Sequence, residues 1–183
     1  TPIVLADCAT GGMHYREYDP EAVLARTGAD YIVRYEAEDA LPELLESIDR
    51  PRSARVVQAE NEVNLDGLPF PAFDLIDLDA YDRFLRSCFD GNLRAPLFDL
   101  RGRALPLLLS RGCPFRCAFC TSNPGRAAGS PKHQRRVTPA RASELIRHLA
   151  VDLGARTIVL LDDMPNLDDD AFTAVLAQVT DLN

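Results

Sequence analysis

The chain has 183 residues, 46% of them hydrophobic and 26% charged, with a formal net charge of −8. That length and balance suit one sizeable globular core or two small ones and exclude a disordered or fibrous chain. No run approaches the ~20 apolar residues of a membrane span, and the acidic balance argues against general binding to nucleic acid or anionic membranes.

Thr1–Ala6 has no basic leader, so no signal peptide is expected. The chain begins without Met inside an apolar run, which suggests that the natural N-terminus lies upstream. Ile3–Ala6 reads as a buried strand entering a loop at Cys8-Ala9-Thr10-Gly11-Gly12. Asp19-Pro20-Glu21 supplies an N-cap, a first-turn proline and an early acid for a helix that Gly28 stops after Thr27. Tyr31–Arg34 is a second strand, and Asp39–Ile48 a second helix with Leu41, Leu44, Leu45 and Ile48 on its apolar side. Such alternation predicts an α/β layer with too few strands to stand alone.

From Pro51 to Leu100 the pattern weakens. Arg55–Gln58 and Glu62–Asn64 suggest a hairpin, Gly67-Leu68-Pro69-Phe70-Pro71 a rigid extended stretch, and Leu78–Cys88 a short helix. Order returns at Ala104–Leu109, a buried parallel strand with Pro106 expected at its start. A Gly/Pro/Ser-rich loop, Asn123–Pro131, precedes a helix from Thr138-Pro139 to about Val151, stopped by Gly154. Thr157–Leu161 is a further strand, ending in Asp162-Asp163, and Asp168–Val179 a helix with Phe172, Val175, Leu176 and Val179 inward. This βαβα half is the start of a parallel barrel or sheet that two strands cannot close. The C-terminus is therefore expected to continue as well.

Of the five cysteines, three stand together in Arg111–Cys120, RGCPFRCAFC. An odd count with this clustering does not suit a secreted disulfide framework and points to a reducing cytoplasm. Cys113, Cys117 and Cys120 are spaced C-x3-C-x2-C on a loop just after a buried strand, where α/β folds place ligands. Three thiolates there can converge on a soft-metal centre. From Arg101 to Arg141 there are nine basic residues and no acidic one. A basic island of that kind would lower thiol pKa values and favour a bound anion. Rival readings stay open. Structural zinc needs four ligands, and His133, Cys8 and Cys88 are distant candidates for the fourth. Dithiol redox chemistry at Cys117–Cys120 leaves Cys113 unexplained.

Leu105–Cys120, LPLLLSRGCPFRCAFC, resembles the cluster-binding entry of the radical S-adenosylmethionine superfamily. That resemblance implies that Cys113, Cys117 and Cys120 each bind one iron of a [4Fe-4S] cluster, with S-adenosylmethionine on the fourth. It further implies reductive cleavage to methionine and a 5′-deoxyadenosyl radical, with Phe119 beside the adenine. Asp162 and Asp163 end a strand on the face where ligands are expected, and either contact cofactor or substrate or serve in helix capping and solvation. An electron donor such as flavodoxin or ferredoxin, and a small-molecule or peptide substrate, would complete the system.

Gly67–Tyr81, GLPFPAFDLIDLDAY, resembles the linker of cobalamin-dependent members of this superfamily. Gly11-Gly12-Met13-His14, Asp30–Arg34 and Leu41–Leu45 are similar to the last strands of their Rossmann-like cobalamin domain, where Gly11 and Gly12 would lie against the cofactor's nucleotide tail. His14 would either touch the corrin edge or be a hydrogen-bonded loop histidine. The implied α/β architecture is the C-terminal portion of a cobalamin-binding domain (1–50), an interdomain linker (51–100) and the N-terminal portion of a radical barrel of the TIM type (101–183). The implied enzyme is a methyltransferase or cyclase, with this chain an incomplete piece of it, and a non-enzymatic zinc or iron–sulfur module is the alternative. Three departures stand out. The family's Gly-Glu-Gly-Glu turn reads Tyr35-Glu36-Ala37-Glu38. No Asp-x-His-x-x-Gly motif is present, and Asp162-Asp163-Met164-Pro165 stands where a glycine-rich contact to S-adenosylmethionine is usual.

Overall fold

In a computed structural model of the chain, the described residues are 1–6, 19–34, 36–49, 54–59, 63–89, 102–115, 117 and 134–182. The chain divides into two compact units, Thr1–Gly67 with Arg111–Arg135, and Leu68–Ser110 with Arg136–Asn183. Both are built from helices and parallel strands, so the chain is of the α/β class.

In the first unit β1 (Val4–Ala6), α1 (Pro20–Thr27), β2 (Tyr31–Arg34), α2 (Ala37–Glu46) and β3 (Val56–Gln58) follow one another. The Asp19 carboxylate accepts from the N–H groups of Glu21 and Ala22, Pro20 opens α1, and Gly28 closes it at φ +72°. The three strands form a parallel sheet in the order β1-β2-β3. Leu24, Ala29 and Ile32 form its small core, with Leu5, Val23 and Val56 against them. Among the described residues the expected hairpin is not formed; Glu62 of its second arm lies outside them. β3 lies parallel to β2, with Ile32 opposite Val56 and Arg34 opposite Gln58, and Val63 and Asn64 are irregular. A short strand next to a turn-rich stretch looks locally like a hairpin arm, whereas parallel pairing is decided by the sheet it joins. Helix α2 starts two residues before its expected boundary and buries Leu44, while Leu45 is exposed.

The second unit begins with Leu68–Pro71, a bend followed by residues in no regular element, and continues through α3 (Leu78–Phe89) to β4 (Arg103–Leu107). Two short strands, β5 (Ser110–Arg111) and β6 (Arg135–Arg136), pair with each other and have their residues divided between the units; the second unit continues with α4 (Pro139–Arg147), β7 (Ala155–Leu160) and α5 (Asp169–Ala177). β4 and β7 are parallel, with Leu105 opposite Ile158 and Leu107 opposite Leu160. Thr138 caps α4 through Arg141 N, and Asp168 caps α5 through Ala171 N, as a cap-and-proline reading of the sequence predicts. Beyond Arg147 the helix loosens into one π turn, His148–Asp152, before Gly154 ends it at φ +69°. Leu105, Leu107, Leu109, Ala142, Leu145, Leu149, Ala155 and Val175 form the core, with Phe73, Leu78 and Tyr81 packed against it.

Pro106 is the fourth residue of β4 rather than its first, opposite Val159. Among the described residues β4 has only β7 beside it, so the missing N–H can face the other edge. Leu176 is exposed, not inward. Gly102 lets Arg156 cross the strand closely, since a Cβ there would stand 2.7 Å from that of Arg156. The Pro-rich stretch is anchored to α4. Arg141 donates to the Leu68 carbonyl at 2.6 Å and lies 4.5 Å over the Phe70 ring, which stacks on His148 at 4.6 Å. His148 also meets Asp152 at 2.7 Å.

Candidate metal centre

Strand β5 delivers the chain to Gly112, whose φ of +88° lies in the left-handed region. Cys113 follows half-buried and Cys117 exposed, both with free thiols, and Phe115 between them is exposed. Phe119 and Cys120 lie outside the described residues, as do Gly11, Gly12, His14, Cys8 and His133. Among the described residues no three metal-ligating side chains converge. Two accessible thiols on one short loop fit a soft-metal centre by donor type. Gly112 is placed where a Cβ is strained, so Gly112→Ala should cost about 1 kcal/mol at the mouth of the loop. We expect lower iron retention and a lower thermal midpoint in that variant. An unchanged pair of values would mean that the turn relaxes freely.

The stem of the loop is held by side chains from the turn after β2. Glu36 is fully buried at its side chain. It occupies the N-cap position of α2 but does not cap it; one oxygen instead accepts from Val63 N–H at 2.8 Å. Its other oxygen pairs with Arg135 Nη2, and Arg111 Nη1 lies 3.5 Å from the carboxylate. Arg111 Nη2 also pairs with Glu38 Oε1, and Arg135 Nη1 donates to the Val63 carbonyl at 2.9 Å. Two carboxylates and two guanidinium groups thus neutralise one another around the backbone N–H and C=O of one residue, Val63. Burial is the largest influence on the Glu38 carboxyl and raises its pKa. The hydrogen bond from Arg111, the backbone bond within Glu38 and the charges of Arg111 and Arg135 together outweigh it and hold the group below its ordinary value.

The sign of that shift sets a pH dependence. A depressed carboxylate stabilises the fold above its unfolded pKa, about 4.3, and the contribution is lost as pH falls through the folded value. The difference in thermal midpoint between the natural chain and Glu38→Gln should therefore persist above about pH 4.3 and close below it. A difference that grew on acidification would contradict the assignment.

The basic island is largely spoken for. Arg103 binds Asp82 at 2.9 Å, Asp79 at 2.6 Å and the Leu153 carbonyl at 2.7 Å. The Asp82 hydrogen bond is the main reason its pKa is raised, against burial and with the charges of Asp82 and Asp79. Arg136 donates to the carbonyls of Pro165 and Met164, and Arg141 to Glu144 and Leu68. With Arg111 and Arg135 these are all of the island's described residues; Arg101, Arg116, Arg126 and Lys132 lie outside them. The described part is therefore an internally paired set rather than an open cationic surface. The absence of any acid between Arg101 and Arg141 was the signal that its partners must come from elsewhere in the chain.

Asp162 is buried in the second unit. Both of its oxygens accept from Leu109 N–H at 3.1 Å, and the Ser110 hydroxyl donates to Oδ1. It therefore ties the end of β7 to the residues that follow β4. Asp163 beside it is exposed.

Residues 107–181 match the sequence profile of the radical SAM superfamily. Two curated relatives are similar to the chain. An uncharacterized methyltransferase of Synechocystis sp. is 31% identical over 93 residues, covering 51% of this chain and 13% of the relative. An uncharacterized methyltransferase of Pyrococcus horikoshii is 26% identical, covering 84% of this chain and 32% of the relative. This chain thus spans a third or less of either relative's length. No solved structure matches it. No helix among the described residues is long and apolar enough to cross a membrane. The match over residues 107–181 takes in the three-cysteine segment and makes that part of the chain similar to the radical SAM superfamily.

Proposed function

We propose that Cys113, Cys117 and Cys120 hold a [4Fe-4S] cluster and that the chain is the cluster-bearing piece of a cytoplasmic radical SAM methyltransferase. The observation that carries this reading is the C-x3-C-x2-C loop inside the matched segment, with free thiols at Cys113 and Cys117. Bound there with one iron open, the cluster would deliver one electron to the sulfonium of S-adenosylmethionine. The chain's own residues shape the loop: Gly112 turns the backbone into it, and Glu36 and Glu38 hold its stem. Phe119 is assigned to the adenine and Asp163 to a polar contact with cofactor or substrate. Methyl transfer is favoured over cyclisation because both curated relatives carry methyltransferase names.

The cobalamin part of the reading rests on the first unit. Its parallel β1-β2-β3 sheet with intervening helices is what the last strands of a Rossmann-like domain would look like. Gly11 and Gly12 would then approach the cofactor tail. Residues 1–50 together with β3 are assigned to that domain, the rest of 51–100 to the linker, and 101–183 to the first βα units of a barrel, of which β4-α4-β7-α5 would be two. An electron donor such as a flavodoxin or ferredoxin would reduce the cluster.

Anaerobic reconstitution with iron and sulfide, in the presence of competing zinc, tests the reading. The expected product has about four irons per chain and broad visible absorbance from thiolate-bound iron. Stoichiometric zinc with no cluster uptake would instead support a structural metal module.

A further inference from the structure

The family segment begins at residue 107, yet two carboxylates far upstream of it hold the stem of its cysteine loop. Glu36 and Glu38 leave the end of β2 within three residues of one another and reach Arg135 and Arg111. Arg111 stands two residues before Cys113, and Arg135 closes the same loop on its far side. Each Arg also has a second anchor in the group. Arg111 lies against Glu36 as well as Glu38, and Arg135 holds the Val63 carbonyl whose own N–H is bound by Glu36. The side chains of Arg111 and Arg135 are mostly buried, 16% and 19% exposed, so solvent screens these pairs less than ordinary surface pairs. Planar guanidinium groups gripped this way fix direction as well as distance.

We propose that Glu36 and Glu38 are positioning residues for the iron–sulfur site, clamping both ends of the cysteine loop through Arg111 and Arg135. Cluster loading by Cys113, Cys117 and Cys120 then depends on residues from outside the matched segment. The physical reason is entropic: three thiolates must converge on one compact centre, and a loop with fixed ends loses less freedom in doing so. The Glu-x-Glu spacing kept in Tyr35-Glu36-Ala37-Glu38, where two glycines are replaced, fits this role, because the carboxylates and not the glycines make the contacts. This inference rests on the proposed cluster for its loading arm alone.

The test compares the full chain with Glu38→Gln, Glu36→Gln, the charge-exchanged pair Glu38→Arg with Arg111→Glu, and Asp181→Asn as a control. The control breaks the exposed Arg147–Asp181 pair elsewhere. Two readouts are taken: iron and sulfide bound after anaerobic reconstitution, and amide hydrogen exchange of the metal-free chain at residues 109–115 and 134–137. We expect Glu38→Gln to stay folded, to lose at least threefold in iron retention, and to exchange at least threefold faster at the loop stem only. The exchanged pair should recover at least half of the loss, and Asp181→Asn should match the natural chain. Glu38 is partly exposed, so its variant carries the test if Glu36→Gln fails to fold. Natural exchange rates at the stem in folded Glu38→Gln would overturn the clamp whether or not any cluster forms. Natural iron retention in that variant would overturn its role in loading. If the natural chain binds no iron, the cluster assignment fails, and the exchange rates still decide the clamp.

Discussion

Replacing Cys113, Cys117 or Cys120 with Ala should lower iron retention by roughly tenfold or more, because in the proposed site each thiolate would supply one of only three protein ligands to the cluster. The three substitutions should be equivalent in that respect, although the half-buried Cys113 and exposed Cys117 differ in surroundings. Equivalence is what separates a three-ligand cluster from a dithiol pair. A redox dithiol at Cys117 and Cys120 would tolerate Cys113→Ala. Cys117→Ala should leave the thermal midpoint of the metal-free chain nearly unchanged, since an exposed thiol contributes little packing. Iron retained after Cys113→Ala, measured against the natural chain, would remove Cys113 from the ligand set.

Glu36→Ala should be the most damaging substitution in the first unit, at about 3 kcal/mol. Its buried carboxylate takes the Val63 N–H and an Arg135 guanidinium, so Ala deletes the acceptor and leaves both donors to find others. Breaking a buried ion pair from one side costs more than the pair contributes, because the remaining charge stays desolvated. Residual solvent access at Arg135 argues for the low end of the usual range. The chain has two units, so a single unfolding curve can mix them. Amide exchange of β2 and β3 read against β7 isolates the effect. A loss of under about 1 kcal/mol would mean that water replaces the carboxylate readily.

These expectations show where the sequence was legible. Local rules placed what is decided locally: Asp19-Pro20 and Gly28 bound α1, Thr138-Pro139 opens α4, and Asp168 caps α5. The parallel pairing of β4 with β7 bears out the expected βαβ arrangement. Local rules failed where partners come from far along the chain. The stretch at Arg55–Asn64 looked like a hairpin because nothing within it indicates that β2 is its neighbour. Leu45 and Leu176 have the periodicity of inward residues, but each helix buries a narrower stripe. Glu36 and Glu38 were visible as a departure from the usual turn, yet their role depends on Arg111 and Arg135, which a scan in chain order meets much later. The cysteine loop was legible in its spacing. Its supports were not.

The most direct test of the cluster assignment is the electron paramagnetic resonance spectrum of the reconstituted, reduced chain with and without S-adenosylmethionine. Three protein thiolates leave one iron open, so adding S-adenosylmethionine should shift the cluster signal, and Cys117→Ala should abolish the signal altogether. A reduced-cluster signal that S-adenosylmethionine leaves unmoved would contradict an open iron and identify a closed, electron-transferring or structural centre.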